Sequence, residues 1–114
     1  MPRLSDSTDR LALKVASGKA TGFQSELLGR TVLEFARGAL LAAVSGGSLR
    51  RVDLDDAVQD TVLKVLARLH TFQPGKAGLK TFVSVIARSV AGDYGRRYGR
   101  EAKVFADCEL PEDA

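Results

Sequence analysis

DLDDAVQDTVLKVLARLHTFQPGKAGLKTFVSVIARSVAGDYGRRYGR, residues 53–100, is the stretch whose reading decides the fold. It opens on acids, breaks at a short Pro/Gly loop, then grows basic and ends in alternating Tyr, Gly and Arg. Leu54, Val58, Val62, Val65 and Leu69 recur at the spacing of one helix face. Phe82, Ile86 and Val90 do the same, and Val83, Ala87 and Tyr94 widen their stripe. Two amphipathic helices follow, one from Asp53 to near His70 and one starting near Leu79. Asp53 is placed as the N-cap of the first, and the further Asp residues behind it oppose the positive end of the helix dipole. Pro74-Gly75 stops that helix, and Phe72 is expected to plug back into the core. Beyond Asp93 the apolar pattern fails. Gly92, Gly95 and Gly99 together weaken a helix by about 3 kcal/mol relative to Ala, so the end is expected to fray unless a ligand orders it.

Upstream, residues 23–45 read as a strong helix. Leu28, Val32, Phe35, Ala39 and Ala43 form its stripe, and Leu33, Leu40 and Val44 widen it. A stripe this wide implies burial on more than one side. Gly29 and Gly38 each cost about 1 kcal/mol in a helix interior, which suggests close helix–helix approach there. Gly46-Gly47 end the element, and Arg50-Arg51 lie in the loop that follows. A short helix to about Ser17 precedes it, with Leu11 and Val15 on one face. No strand pattern and no internal repeat occurs. The expected fold is all-α, a compact domain of three to four helices over residues 9–103. A flexible leader (1–8) precedes it and an acidic, mobile tail (104–114) follows.

The chain of 114 residues carries 17 basic and 14 acidic side chains, so the sum is mild and the distribution matters more. Residues 53–60 hold four Asp and no base, whereas residues 76–103 hold seven bases against Asp93 and Glu101. A chain polarised in this way suits two partners, one basic and one polyanionic. The single Cys108 permits no intrachain disulfide. No apolar run approaches membrane-spanning length, and the N-terminus lacks the apolar stretch of a signal peptide. A cytoplasmic protein with no membrane partner is expected.

Each charged feature has a plain alternative. The acids at 53–60 could be a capped, solvated helix start. The functional reading is a dock for a basic protein surface, to which Gln59 adds a hydrogen bond and Leu63 an apolar contact. A calcium loop is disfavoured because the Asp spacing lacks its Gly and distal Glu. In residues 93–100, Arg96, Arg97 and Arg100 suit phosphates, and Tyr94 and Tyr98 suit stacking on unpaired bases; the alternative is a solvated basic helix end. His70 stands alone, no Ser/His/Asp spacing recommends a triad, and SGGSLRR lacks the ending of a P-loop. No enzyme, metal site or cofactor is expected.

These residues resemble region 2 of the bacterial sigma-70 family, of the small extracytoplasmic-function type. Asp53, Asp56, Val58, Gln59 and Asp60 match the family's acidic helix start, Phe72 and Pro74 its loop, and Phe82, Ile86, Ala87, Arg88 and Asp93 its last helix, with Arg96 and Arg97 behind. Phe82 stands where Trp is usual, Ser89 where Asn is preferred, and Gly92 and Gly95 where apolar helix formers are common. The resemblance implies docking on the coiled coil of the RNA polymerase beta-prime clamp through Asp55, Asp56, Gln59, Asp60 and Leu63. It also implies contact with opened promoter minus-ten DNA, as the single-stranded non-template strand, through Lys76, Lys80, Phe82, Arg88, Ser89, Tyr94, Arg96, Arg97 and Arg100. The family's second DNA-binding domain does not fit in residues 101–114, so a partner for upstream recognition, an activator or an anti-sigma protein is expected. The leading expectation is a sigma-like transcription factor. The alternative is a sigma-like accessory, of phage or mobile-element type, that travels with elongating polymerase and acts on pausing or antitermination. A further alternative is an interaction module or polymerase decoy that has lost DNA contact.

Overall fold

In a computed structural model the backbone is described for residues 7–73 and 75–108, and side-chain surroundings for 8–73 and 75–98. The chain order is α1 (Ser7–Ala16), α2 (Gly22–Ser45), α3 (Leu54–Ala67) and α4 (Leu79–Cys108). Single 3-10 turns, Arg51–Asp53 and Leu69–Thr71, lead into and out of α3. The all-α expectation holds: no strand occurs among the described residues. No described helix is long and apolar enough to cross a membrane.

The core is one cluster shared by all four helices. Leu28, Val32, Ala36 and Leu40 enter it from α2; Leu54, Ala57, Val58, Thr61 and Val65 from α3; Leu79, Val83, Ile86, Ala87, Val90, Ala91 and Tyr94 from α4; and Ala12 from α1. Each fully buried Leu or Val contributes about 1.5–3 kcal/mol relative to exposure. Phe72 is buried, as its sequence position suggested, and its ring lies 5.3 Å from that of Phe82 in a tilted pair. Thr61 is the one buried side chain in α3 with a polar group, and its hydroxyl donates to the Ala57 carbonyl at 2.8 Å.

Several sequence expectations are corrected. The inward stripe of α2 is 28/32/36/40, a strict step of four, so Phe35, Ala39 and Ala43 are only half-buried and Leu33 is exposed. Asp53 does not cap α3 with its side chain. It sits in the 3-10 turn with helical backbone angles, and its carboxylate accepts from Arg50 Nε at 2.9 Å instead. Gly29 and Gly38 do not mark close approach: a Cβ built on either meets nothing within 4 Å. α1 starts at Ser7, inside the expected leader, and α4 continues without a break through Gly92 and Gly95 to Cys108, inside the expected tail. Residues 1–6, Pro74 and 109–114 lie outside the described residues.

Two helix starts depend on contacts that local pattern alone did not assign. Thr21 caps α2 through a reciprocal pair, its hydroxyl accepting from Gln24 N at 3.1 Å while the Gln24 amide oxygen accepts from Thr21 N at 3.0 Å. The start of α4 is capped from the other end of the chain. Buried Asp9 accepts the Leu79 backbone N–H at 2.8 Å. Asp9 also lies in the first turn of α1, so one carboxylate faces the positive ends of two helices.

Replacing Asp9 with Ala should therefore lower the unfolding free energy by about 1–2 kcal/mol, a lost cap. Gly38→Ala should raise it by about 0.5–1 kcal/mol because the site is helical and open. Urea titration followed by circular dichroism reads both, and a Gly38→Ala protein no more stable than the parent would overturn the open-site reading.

Candidate functional site

An α-helix turns 100° per residue, so residues adjacent in sequence diverge around its axis. The acids of α3 divide accordingly. Asp55, Val58, Gln59, Val62 and Leu63 face α2 and, with Leu33 and Arg37, line an open groove of about 410 Å³. Leu63 is 58% exposed and Leu33 43% exposed, which leaves apolar surface at the groove. Arg37 approaches Asp55 at 3.5 Å across it. Both partners are largely exposed, so this pair contributes well under about 1 kcal/mol and can be exchanged for another partner.

Asp60 and Lys64 turn the other way, toward α4. The Tyr94 hydroxyl donates to Asp60 Oδ2 at 2.6 Å, and Lys64 approaches Asp93 at 3.8 Å. The five expected docking residues are neighbours at i+3 and i+4 spacing on the outer side of α3, but their surroundings differ. Asp55, Gln59 and Leu63 line the groove, Asp60 is engaged by Tyr94, and Asp56 is exposed and near enough to act on Tyr94 through its charge.

Tyr94 is only 8% exposed, so its ring belongs to the core rather than to a stacking surface. Burial pushes its hydroxyl up to about 12, assisted by the hydrogen bond and charge of Asp60 and by the charge of Asp56, while Arg97 pulls in the opposite direction. A phenol held this way stays protonated and donates to the carboxylate. Tyr98, 45% exposed, is the aromatic left at the surface.

The outer face of α4 carries Arg88, Ser89 and Arg96, all exposed, together with Val85. Arg96 pairs with Asp93 one turn back. The Arg97 guanidinium lies 4.6 Å from the centre of the Tyr94 ring. Lys76 is exposed in the loop, and Lys80 is exposed at the rim of a shallow cavity with Glu34, Phe35 and Ser84. Phe82 is half-buried against Phe72, so packing claims most of its ring. The Arg100 side chain lies outside the described residues. Lys76, Lys80, Arg88, Ser89, Arg96 and Arg97 therefore remain available to a polyanion, and Tyr94 does not. No group of three or more His, Cys, Asp or Glu among the described residues could hold a metal ion.

The family model for sigma-70 region 2 matches residues 29–101, which span most of α2, all of α3 and the body of α4. The chain belongs to the sigma-70 region 2 family. No curated protein and no solved structure matches it. Membership of the sigma-70 region 2 family makes this a transcription protein whose partners are RNA polymerase and promoter DNA, in a family of transcription factors rather than enzymes.

Sequence reasoning missed two features of this sigma-70 domain. Arg50 lies over the Tyr98 ring at 4.0 Å, a contact between a loop and a helix end nearly fifty residues apart that no local pattern signals. A groove of about 610 Å³ between α1 and α2, lined by Arg10, Leu11, Lys14, Phe23, Gln24 and Leu27 among others, leaves Phe23 74% exposed. Its only sequence signal was an aromatic outside the stripe of α2.

The raised Tyr94 hydroxyl fixes a pH dependence. Its folded value lies above the unfolded value of 10.0, so its contribution to stability is complete below pH 10 and is lost as pH rises through about 12. Tyr94→Phe should cost about 1–3 kcal/mol at neutral pH, since Asp60 loses its donor. It should also flatten the alkaline limb of the stability profile relative to the parent. Denaturant midpoints measured from pH 8 to pH 12 check both effects; parallel profiles would show that folding leaves the titration of the phenol unchanged.

Proposed function

We propose that the protein docks on the coiled coil of the RNA polymerase beta-prime clamp through the α2–α3 groove and contacts opened minus-ten-type promoter DNA through the outer face and basic end of α4. The observation that carries this reading is the groove itself. Within the matched region, exposed Leu33 and Leu63 flank the Gln59 amide and the Asp55 carboxylate. An apolar strip with one amide and one acid suits a helix that presents an apolar residue beside Arg or Lys. Arg37 already occupies Asp55 weakly, so a partner cation replaces it at small cost.

On the DNA side, Lys76, Lys80, Arg88, Ser89, Arg96 and Arg97 supply donors for phosphate, and Tyr98 replaces Tyr94 as the stacking ring. Single-stranded non-template DNA suits this set because one exposed ring can take an unpaired base. Asp60 acts in this scheme as a positioning residue for Tyr94, not as a direct dock.

A second reading is supported by the burial of Tyr94. With one of two tyrosines withdrawn into the core, the nucleic-acid end is lighter than an aromatic pair would make it. This favours an accessory that keeps the clamp dock and travels with elongating polymerase, acting on pausing or termination.

Joint replacement of Gln59 by Ala and Leu63 by Asp should lower recovery of RNA polymerase with the tagged protein by at least roughly tenfold, as expected when a buried contact at an interface centre is lost. Undiminished recovery would remove the groove from the interface. Chromatin profiling in the native host separates the two readings: a peak confined to promoters supports initiation, and signal spread through transcribed units supports the accessory role.

A further inference from the structure

The loop between α2 and α3 carries Arg50 and Arg51, which neither the clamp dock nor the basic face of α4 uses. This loop is pressed against α4. A Cβ on Gly95 would lie 3.4 Å from the Ser48 carbonyl oxygen, the edge of van der Waals contact, so loop and helix are neighbours here. The two elements enclose a cleft of about 180 Å³ lined by Gly47, Ser48, Arg50, Asp53, Tyr94 and Tyr98, among others.

Arg50 is held at this cleft on two sides. Its Nε donates to Asp53 at 2.9 Å, and its guanidinium carbon lies over the Tyr98 ring, 4.0 Å from the centre. Nε takes Asp53, and no hydrogen bond or ion pair among the described residues uses the terminal nitrogens, whose N–H donors suit a planar or tetrahedral oxyanion. Its side chain stays substantially exposed. A guanidinium held in this way loses little rotamer freedom on binding. Arg97 is held on Tyr94 in a similar manner one turn earlier on α4. Arg51, next to Arg50, is exposed and takes part in no ion pair among the described residues. The loop and the helix end together therefore present a concave, net-positive edge, with Asp53 serving to orient Arg50 as well as to offset part of its charge.

We infer that Arg50, held by Asp53 and Tyr98, is a phosphate-binding residue that extends the nucleic-acid surface of α4 onto the α2–α3 loop, its ligand being a phosphodiester of the DNA backbone. This rests on the nucleic-acid reading of α4 above. An acidic protein partner is a different class of ligand, and it would not protect Arg50 in a binary mixture with DNA.

Fluorescence anisotropy with a labelled single-stranded oligonucleotide, repeated across salt concentrations, tests the inference on the full chain. Arg50→Ala should reduce the slope of log affinity against log salt by about 0.7, the loss of one phosphate contact on a single strand, and weaken binding roughly fivefold at 0.1 M salt. Arg50→Lys should keep the slope but recover only part of the affinity, because the ammonium cannot reproduce the stacked fork. Phenylglyoxal modification of the unaltered protein supplies a readout that does not depend on a variant: the oligonucleotide should protect Arg50. An unchanged slope for Arg50→Ala with no protection of Arg50 overturns the inference, while a fall on joint Arg96→Ala and Arg97→Ala replacement leaves the α4 reading standing. If that pair also has no effect, both fall together.

Discussion

Tyr94 donates its hydroxyl to Asp60 at the point where the core ends and the surface of α4 begins. The ring is the last inward-facing side chain of α4 among the described residues, and the carboxylate belongs to the side of α3 turned away from α2. Burial raises the cost of ionising the phenol, which keeps it a donor to the carboxylate. The buried stripe of α3 sets how that helix faces its neighbours, and this bond ties the α4 edge of its outer side to the core. Asp55, Gln59 and Leu63 lie toward the other edge, open along the groove with α2. The acids of α3 thus differ in surroundings: Asp60 is held internally, whereas Asp55 and Asp56 are exposed.

α4 also depends on this point. Its first half buries Leu79, Val83, Ile86, Ala87, Val90 and Ala91, and beyond Tyr94 no described residue enters the core. The glycines there work against helix formation by about 1 kcal/mol each. Exposed ion pairs such as Arg96 with Asp93 return little. Stacking of Arg50 on Tyr98 and of Arg97 on Tyr94 adds about 0.5–1 kcal/mol each at sites of this exposure. This stretch of the helix is thus held by the loop before α3 as well as by its own propensity. Gly95 sits where that loop meets the helix. Gly29 and Gly38 have no comparable role, and nothing in the structure explains them.

Much of the fold was legible because α3 and α4 obey one period and one strong break. Leu54, Val58, Val65, Val83, Ile86 and Val90 were all placed inward from spacing alone, and Phe72 from its position beside the turn; each is buried. The register of α2 was misread where Phe35 competed with Ala36. The spacing was read with a step of three at Phe35, whereas Ala36 is the fully buried residue and Phe35 only half-buried. The cap of α4 was illegible in principle from local pattern, since Asp9 and Leu79 meet only after the chain has closed. The misplaced features of the site share one cause. Asp55 and Asp56, or Tyr94 and Tyr98, look alike in a list of neighbours, yet their angular positions and distance from the core give them different partners.

The arginines show how the same residue type divides between structure and ligand. Arg88 and Arg51 take part in no ion pair among the described residues, so they offer charge at the full entropic cost of fixing a long side chain. Arg50, Arg96 and Arg97 already rest on Asp53, Asp93 and Tyr94 or Tyr98. Each has given up part of its rotamer freedom during folding. A polyanion meeting this end of α4 encounters guanidinium groups already in place, which lowers the cost of binding more than the net charge of +3 suggests. The tyrosines thus bear on the arginines of this helix even where, as with Tyr94, the ring itself is out of reach.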